Sequence, residues 1–308
     1  MDNGFFANMP FDHEPLEIIS IKETGVRQQQ ISRNPTWNRT MNLFAYTVEQ
    51  YLIGVDSEVR VEEITYKSPV NHKFSKNGTS RAWHYKASDE ATVIVLPQRG
   101  SGYNFAQLVC CYLASNGIGA YELEAPLRRD NLPDGIESVC DIEYDLPALK
   151  EVFRKAVTEA RGMADIAAED KIGILGISLG AIFSSVVYGI DDGFASACLV
   201  MGGGDFPSLL KHSRDKFVRH LYSCLGDLSD EDVSDIEPCN FVSPAKSGKL
   251  LMVNATHDNS IPANSRTSLW EAWGRPEQYM LGDSHFSIIR RVPGLLPKIL
   301  EHYERTLK

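Results

Sequence analysis

The 308-residue chain is short of the features that mark several large functional classes. Basic residues are outnumbered: Lys plus Arg is 31 against 41 Asp plus Glu, a formal charge of −10. A chain of that sign lacks the basic footprint of a nucleic-acid binder and gains little from an anionic membrane surface. No run approaches the roughly 20 apolar residues of a membrane span. Residues 1–8 carry no basic n-region and no apolar core, so no secretory signal is expected. Cys110, Cys111, Cys140, Cys198, Cys224 and Cys239 form no C-x-x-C pair and no zinc-type spacing. Dinucleotide, phosphate-loop and H-E-x-x-H patterns are absent too. The expectations are a cytoplasmic protein with reduced thiols, no metal or organic cofactor, and no nucleic-acid or membrane partner. Its partner is expected to be a small molecule. Oligomeric state stays open, a homodimer included.

What is present reads as a globular α/β chain. Hydrophobic residues are 43% and charged residues 23%, ordinary globular usage. Residues 1–57 are expected to be an irregular, partly helical extension. Within it, Asn34-Pro35-Thr36 opens a helical spacing of Trp37, Met41, Phe44, Ala45, Val48 and Leu52. Residues 58–308 form the main domain. Short β-type runs at 59–66 and 81–86 flank Asn77-Gly78, a hairpin signal. Apolar strands at 91–96, 118–123, 172–177, 195–201 and 249–254 then alternate with amphipathic helices. One helix carries Phe105, Leu108, Val109, Tyr112 and Leu113; another carries Leu149, Val152, Phe153, Ala156 and Val157. Continuous apolar strands between such helices predict a mostly parallel central sheet covered on both faces. Chemistry in such a sheet gathers outside the carboxyl ends of the strands. Residues 205–243 break the alternation. Leu209, Leu210, Phe217, Val218, Leu221, Tyr222 and Leu225 keep helical spacing there, so the segment is expected to be a helical cap inserted between two strands.

At one strand end stands Gly176-Ile177-Ser178-Leu179-Gly180, a G-x-S-x-G motif between an apolar strand and a helix. The sharp turn holds the serine in a strained backbone conformation, and side chains at 176 or 180 would crowd it. The blander alternative is a glycine turn with a bystander serine. A serine hydroxyl needs a base, and the base needs a group to orient it. His285, in Gly282-Asp283-Ser284-His285-Phe286-Ser287, sits in a polar loop after a strand-like stretch and is the best-placed of eight histidines. Asp258 follows the strand at 249–254 by a short turn and is the expected acid. Asp205, after Gly202-Gly203-Gly204, is the runner-up, with helix capping as its structural role. His257 reads as a neighbour, and Asp283 as too close to His285 in sequence to serve.

With Ser178, Asp258 and His285 in that order, the chain resembles the α/β-hydrolase superfamily, in its bacterial carboxylesterase and dienelactone-hydrolase-like branch. The resemblance covers about residues 59–308 through ATVIVLPQRGSG, GIGAYELEAP, DKIGILGISLGA, LLMVNATHDNSIP and GDSHFS. It implies an α/β-hydrolase fold and a serine hydrolase cleaving carboxylic esters through an acyl-enzyme. It also implies an oxyanion hole from the backbone N–H groups of Leu179 and Arg99. The segment Pro97-Gln98-Arg99-Gly100 stands where the family usually has His-Gly-x-Gly. Gln98, Arg128 and Arg129 follow strand ends and are candidate substrate contacts; as surface arginines paired with acids, Arg128 and Arg129 would have no such role. The cap's apolar residues predict short acyl groups. A peptidase or acyltransferase using the same three residues, and a catalytically silent binding module, are the competing readings.

Overall fold

In the computed structural model, which describes residues 15–26, 59–70, 78–87, 91–99, 105–125, 127, 132, 134–136, 138–167 and 171–308, the strands join in one sheet. They are β1 (Ile18–Val26), β2 (Arg60–Lys67), β3 (Thr79–Tyr85), β4 (Thr92–Leu96), β5 (Gly119–Leu123), β6 (Ile172–Ile177), β7 (Phe194–Val200), β8 (Leu250–Ala255) and β9 (Glu277–Leu281). Their order is β1-β2-β3-β5-β4-β6-β7-β8-β9. β1, β2, β3 and β5 pair antiparallel. From β5 through β9 every pairing is parallel.

The side-chain alternation of β4 shows how the two faces are filled. Val93 and Val95 join a core with α1 (Phe105–Ser115) and α8 (Val292–Leu307). Ile94 and Leu96 join another with α2 (Leu146–Ala167) and α3 (Leu179–Ile190). Both cores are built from buried apolar side chains, so a strand such as β6, buried at all six positions, is apolar throughout. The helix stripe Leu149, Val152, Phe153, Ala156 and Val157 is buried as its spacing requires. Gly117 ends the turn after α1 at φ 84°, where a side chain would be strained.

The strand order sets the site. The chain leaves β4 for β5 on one side and returns to β6 on the other. The carboxyl ends of β4 and β6 therefore form a topological switch point, the crevice where α/β sheets bind ligands. The excursion between β7 and β8 holds α4 (Phe206–His212), α5 (Lys216–Leu225) and α6 (Asp230–Val233). Asp215 caps α5, accepting from the N–H groups of Phe217 at 2.9 Å and Val218 at 3.2 Å.

One expectation needs correction. Ile18–Val26 lies in the stretch read as an irregular, partly helical extension, yet it is a strand on the sheet edge, with Lys22 opposite Glu63 and Glu23 opposite Glu62. The helix expected from Asn34 to Leu52 lies outside the described residues. Among the described residues no helix is long and apolar enough to cross a membrane.

Candidate active site

The turn from β6 into α3 is forced by its glycines. A Cβ on Gly180 would lie 2.1 Å from the carbonyl oxygen of Leu96, at the end of β4. One on Gly176 would lie 2.3 Å from the Gly180 carbonyl oxygen. Only glycines let α3 start this close to the two strands. Ser178, between them, has φ 54° and ψ −115°. That cost, of order 1–3 kcal/mol for a non-glycine residue, persists where the surroundings over-determine the conformation. Ser178 N–H donates to the Val200 carbonyl at 2.8 Å, and its own carbonyl accepts from Ala181 N–H at 2.9 Å. The hydroxyl is left at the top of the sheet. Leu179 opens the helix, and its N–H belongs to the first turn, which has no intrahelical acceptor.

Two loops, one after β8 and one after β9, complete the line. Ser178 Oγ lies 2.9 Å from His285 Nε2. His285 Nδ1 lies 2.7 Å from Asp258 Oδ2. The Asp258 carboxylate is wholly buried. Its other oxygen accepts from the N–H groups of Ser260 at 2.8 Å and Ile261 at 2.9 Å, which fixes its rotation. The loop is braced by Arg266 on α7 (Ala263–Ala272), whose Nη1 donates to the carbonyls of Asp258 at 3.2 Å and Ile261 at 2.5 Å. Burial pulls the Arg266 guanidinium below its ordinary pKa, with the Asp258 charge opposing. Asp283 holds the histidine loop instead of joining it. Its carboxylate accepts from Arg291 at 2.8 Å and from Ser287 Oγ at 3.1 Å. Those partners, Arg291 foremost, keep its pKa below the usual carboxylate value.

Asp205 has the capping role. It sits at φ 53° and its side chain accepts from Ser208 N–H at 3.3 Å at the start of α4. The backbone N–H groups of Asp205 and Phe206 are themselves bound by Glu237, at 2.9 and 2.6 Å.

Ser178 and His285 open into a cavity of about 130 Å³ under the cap. Its wall is largely apolar, including Phe206, Leu209, Leu210, Phe217, Val218 and Leu221 from the insertion. Gln98, Arg99 and Leu179 also line it. The Arg99 side chain is tied to the cap: Nη2 donates to both oxygens of Asp215, at 3.1 and 3.3 Å, and the guanidinium lies 4.4 Å from the centre of the Phe217 ring. Arg99 thus both lines the cavity and pairs with an acid. Arg128 and Arg129 lie outside the described residues.

No family model matches the sequence. A curated relative, an uncharacterized protein YdjC of Bacillus subtilis, is 31% identical over 58 residues, 19% of this chain and 48% of that protein. Solved structures match far more of it. An acylaminoacyl peptidase of Pyrococcus horikoshii superposes with a TM-score of 0.58 at 15% identity, over 82% of this chain and 48% of that one. The chain thus spans about half the length of that peptidase. An esterase of Pyrococcus furiosus gives a TM-score of 0.52 at 12% identity, over 78% of this chain and 94% of that one. A puromycin-hydrolyzing peptidase of Mycobacterium tuberculosis gives 0.58 at 16%, over 81% and 40%. The protein has the α/β-hydrolase fold.

Within this fold, the partners around Asp258 carry no signature in the sequence. Ser260 and Ile261 act through backbone N–H groups, which carry no residue signature. Arg266 reads in sequence as an ordinary helical arginine. Phe286, 56% exposed with its ring 5.4 Å from that of His285, is flagged only by its position beside the histidine.

Proposed function

We propose that the protein is a serine hydrolase that cleaves carboxylic esters with short acyl groups through an acyl-enzyme, the reading expected of the carboxylesterase-like branch. One observation carries it: the unbroken line from Ser178 Oγ to His285 Nε2 at 2.9 Å, and from His285 Nδ1 to Asp258 Oδ2 at 2.7 Å. In this scheme His285 takes the Ser178 proton as the hydroxyl attacks the ester carbonyl. Asp258 holds the proton on Nδ1, so Nε2 is the acceptor, and stabilises the imidazolium that forms. The N–H groups of Leu179 and Arg99 receive the developing oxyanion, each worth roughly 10²–10³ in rate. His285 returns its proton to the leaving alcohol. It then activates the water that frees the acid and restores Ser178. Gln98 is a candidate contact for the substrate at the same wall.

The cavity supports the choice of acyl group. A wall of apolar cap residues around about 130 Å³ rewards each buried CH₂ by roughly 0.8 kcal/mol until it is full, then rejects longer chains. We expect the best substrates to carry about two to six acyl carbons on this arithmetic. Peptide-bond cleavage by the same three residues is the second reading, favoured by the two structural neighbours that are peptidases. Specificity constants across p-nitrophenyl esters from acetate to palmitate, with acyl-amino p-nitroanilides beside them, separate the readings. A maximum among the short esters fits the proposal. A maximum at twelve carbons or beyond, or anilides cleaved faster than esters, contradicts it.

A further inference from the structure

A second cavity, of about 410 Å³, is bordered by Asp258 and Asn259, from the loop whose Ser260 and Ile261 border the apolar pocket. Arg214, Arg266, His212 and His257 line it, together with the start of α7. The charges around it are unusual for a chain with a net charge of −10. Most arginines described here pair with a carboxylate, as Arg81 does with Glu124, Arg161 with Asp191 and Arg305 with Glu277. Arg214 and Arg266 do not: among the described residues neither has a carboxylate within salt-bridge distance. Arg266 is 6% exposed, and its hydrogen bonds both leave from Nη1 to backbone carbonyls. Its remaining N–H donors have no protein acceptor, and the residue borders the cavity. The carboxylate in the cavity's lining, Asp258, spends its oxygens on Ser260, Ile261 and His285.

The backbone adds to this. α7 is ten residues long and begins at the cavity, with Pro262 and Ala263 in its wall. It has no side-chain cap, so no capping side chain takes up its first-turn N–H groups. A buried arginine with spare donors, a second arginine, two imidazoles and an uncapped helix start converge on one space. Asp258 is already committed to its own three partners, so an anion in that space would be the acceptor for the donors Arg266 leaves unused.

We propose that this cavity binds a compact oxyanion, with phosphate as its fullest match, held by Arg214, Arg266 and His257 at the start of α7. The site is distinct from the Ser178 pocket and stands whether or not Ser178 is a nucleophile. Arg266 touches both the cavity and the Asp258 carbonyl, so an anion there would stiffen the loop that positions the acid. The anion could arrive free or as the phosphate of a small monoester.

The test titrates the full chain with inorganic phosphate and with glycerol 3-phosphate, by calorimetry and by thermal denaturation. Potassium chloride at matched ionic strength is the control. Saturable one-to-one binding with a raised melting temperature is expected for at least one of the two. Equal affinities assign the free anion; tighter binding of glycerol 3-phosphate assigns the monoester. Arg214→Ala should weaken binding about tenfold, the size of a lost charged hydrogen bond. Arg214→Ala with His257→Ala should abolish it. No binding beyond the chloride control would overturn the proposal, and so would affinity unchanged in the double variant.

Discussion

Asp258→Asn asks how the buried acid acts on the histidine, and its outcome can be worked from the hydrogen bonds. Asp258 Oδ1 accepts from two backbone N–H groups, at 2.8 and 2.9 Å, while Oδ2 faces His285 Nδ1 at 2.7 Å. An asparagine must keep its carbonyl oxygen under the two backbone donors, because an NH₂ there would oppose them. Its amide nitrogen then faces Nδ1 and donates to it. The ring proton is driven to Nε2, the atom 2.9 Å from Ser178 Oγ. An Nε2–H cannot take the serine's proton, so turnover should fall about 10⁴-fold. That is about 5 kcal/mol in the barrier. Stability should change little, since the side chains are isosteric and both backbone bonds survive. The assay is kcat/KM on p-nitrophenyl acetate, with the imidazole N–H observed by NMR and folding checked by denaturation. A folded Asp258→Asn protein within tenfold of wild-type turnover would refute the reasoning, above all if its ring proton is seen on Nε2.

Further outcomes follow from other parts of the structure. Gly180→Ala places a Cβ 2.1 Å from the Leu96 carbonyl oxygen, so overpacking should cost at least about 3 kcal/mol in urea denaturation; a loss under about 1 kcal/mol would mean the elbow yields. Buried His302, held by the Ala197 carbonyl at 2.9 Å and Ser196 Oγ at 3.0 Å, has its pKa lowered by burial from 6.5 to about 4. The unfolded chain therefore takes up a proton that the folded one refuses, and stability falls as pH drops from 6.5 toward 4, by up to about 3 kcal/mol. His302→Gln should flatten that slope in urea titrations at pH 7 and pH 5, and an unchanged slope would assign it to other groups. Leu210, 2% exposed in the cavity wall, can be cut to Ala at about 2–5 kcal/mol of stability. The preferred acyl chain should lengthen by about two carbons, and an unmoved optimum would place the acyl group elsewhere.

How much of this was legible in the sequence depended on whether a feature is written in local periodicity. The elbow was readable because two glycines at fixed spacing have a steric cause, seen in the 2.1 and 2.3 Å approaches. That Ser178, Asp258 and His285 come together was readable because each follows a strand in a fold that gathers strand ends. β1 was not. It is an edge strand whose partner lies some forty residues on, and Ile18, Ile19 and Ile21 are all substantially exposed, so no clean in–out alternation is available. Asp205 and Asp258 look alike in sequence, both acids after a strand. They differ in where their loops lead, one into the cap helix and one back toward His285. The Arg99–Asp215 tie spans 116 positions and exists only because the insertion folds back over the β4 end. The second cavity has the same character: Arg214 comes from the insertion, Arg266 from α7 and His257 from the acid loop. No local pattern links the three.

The central claim is that Ser178 is a nucleophile activated by His285. Treating the full chain with a fluorophosphonate and mapping the adduct by mass spectrometry tests it directly. The account predicts a single stoichiometric adduct on Ser178, none on Ser178→Ala, and labelling slowed by orders of magnitude in His285→Ala. An unlabelled wild-type protein, or an adduct that persists on Ser178→Ala, would contradict it.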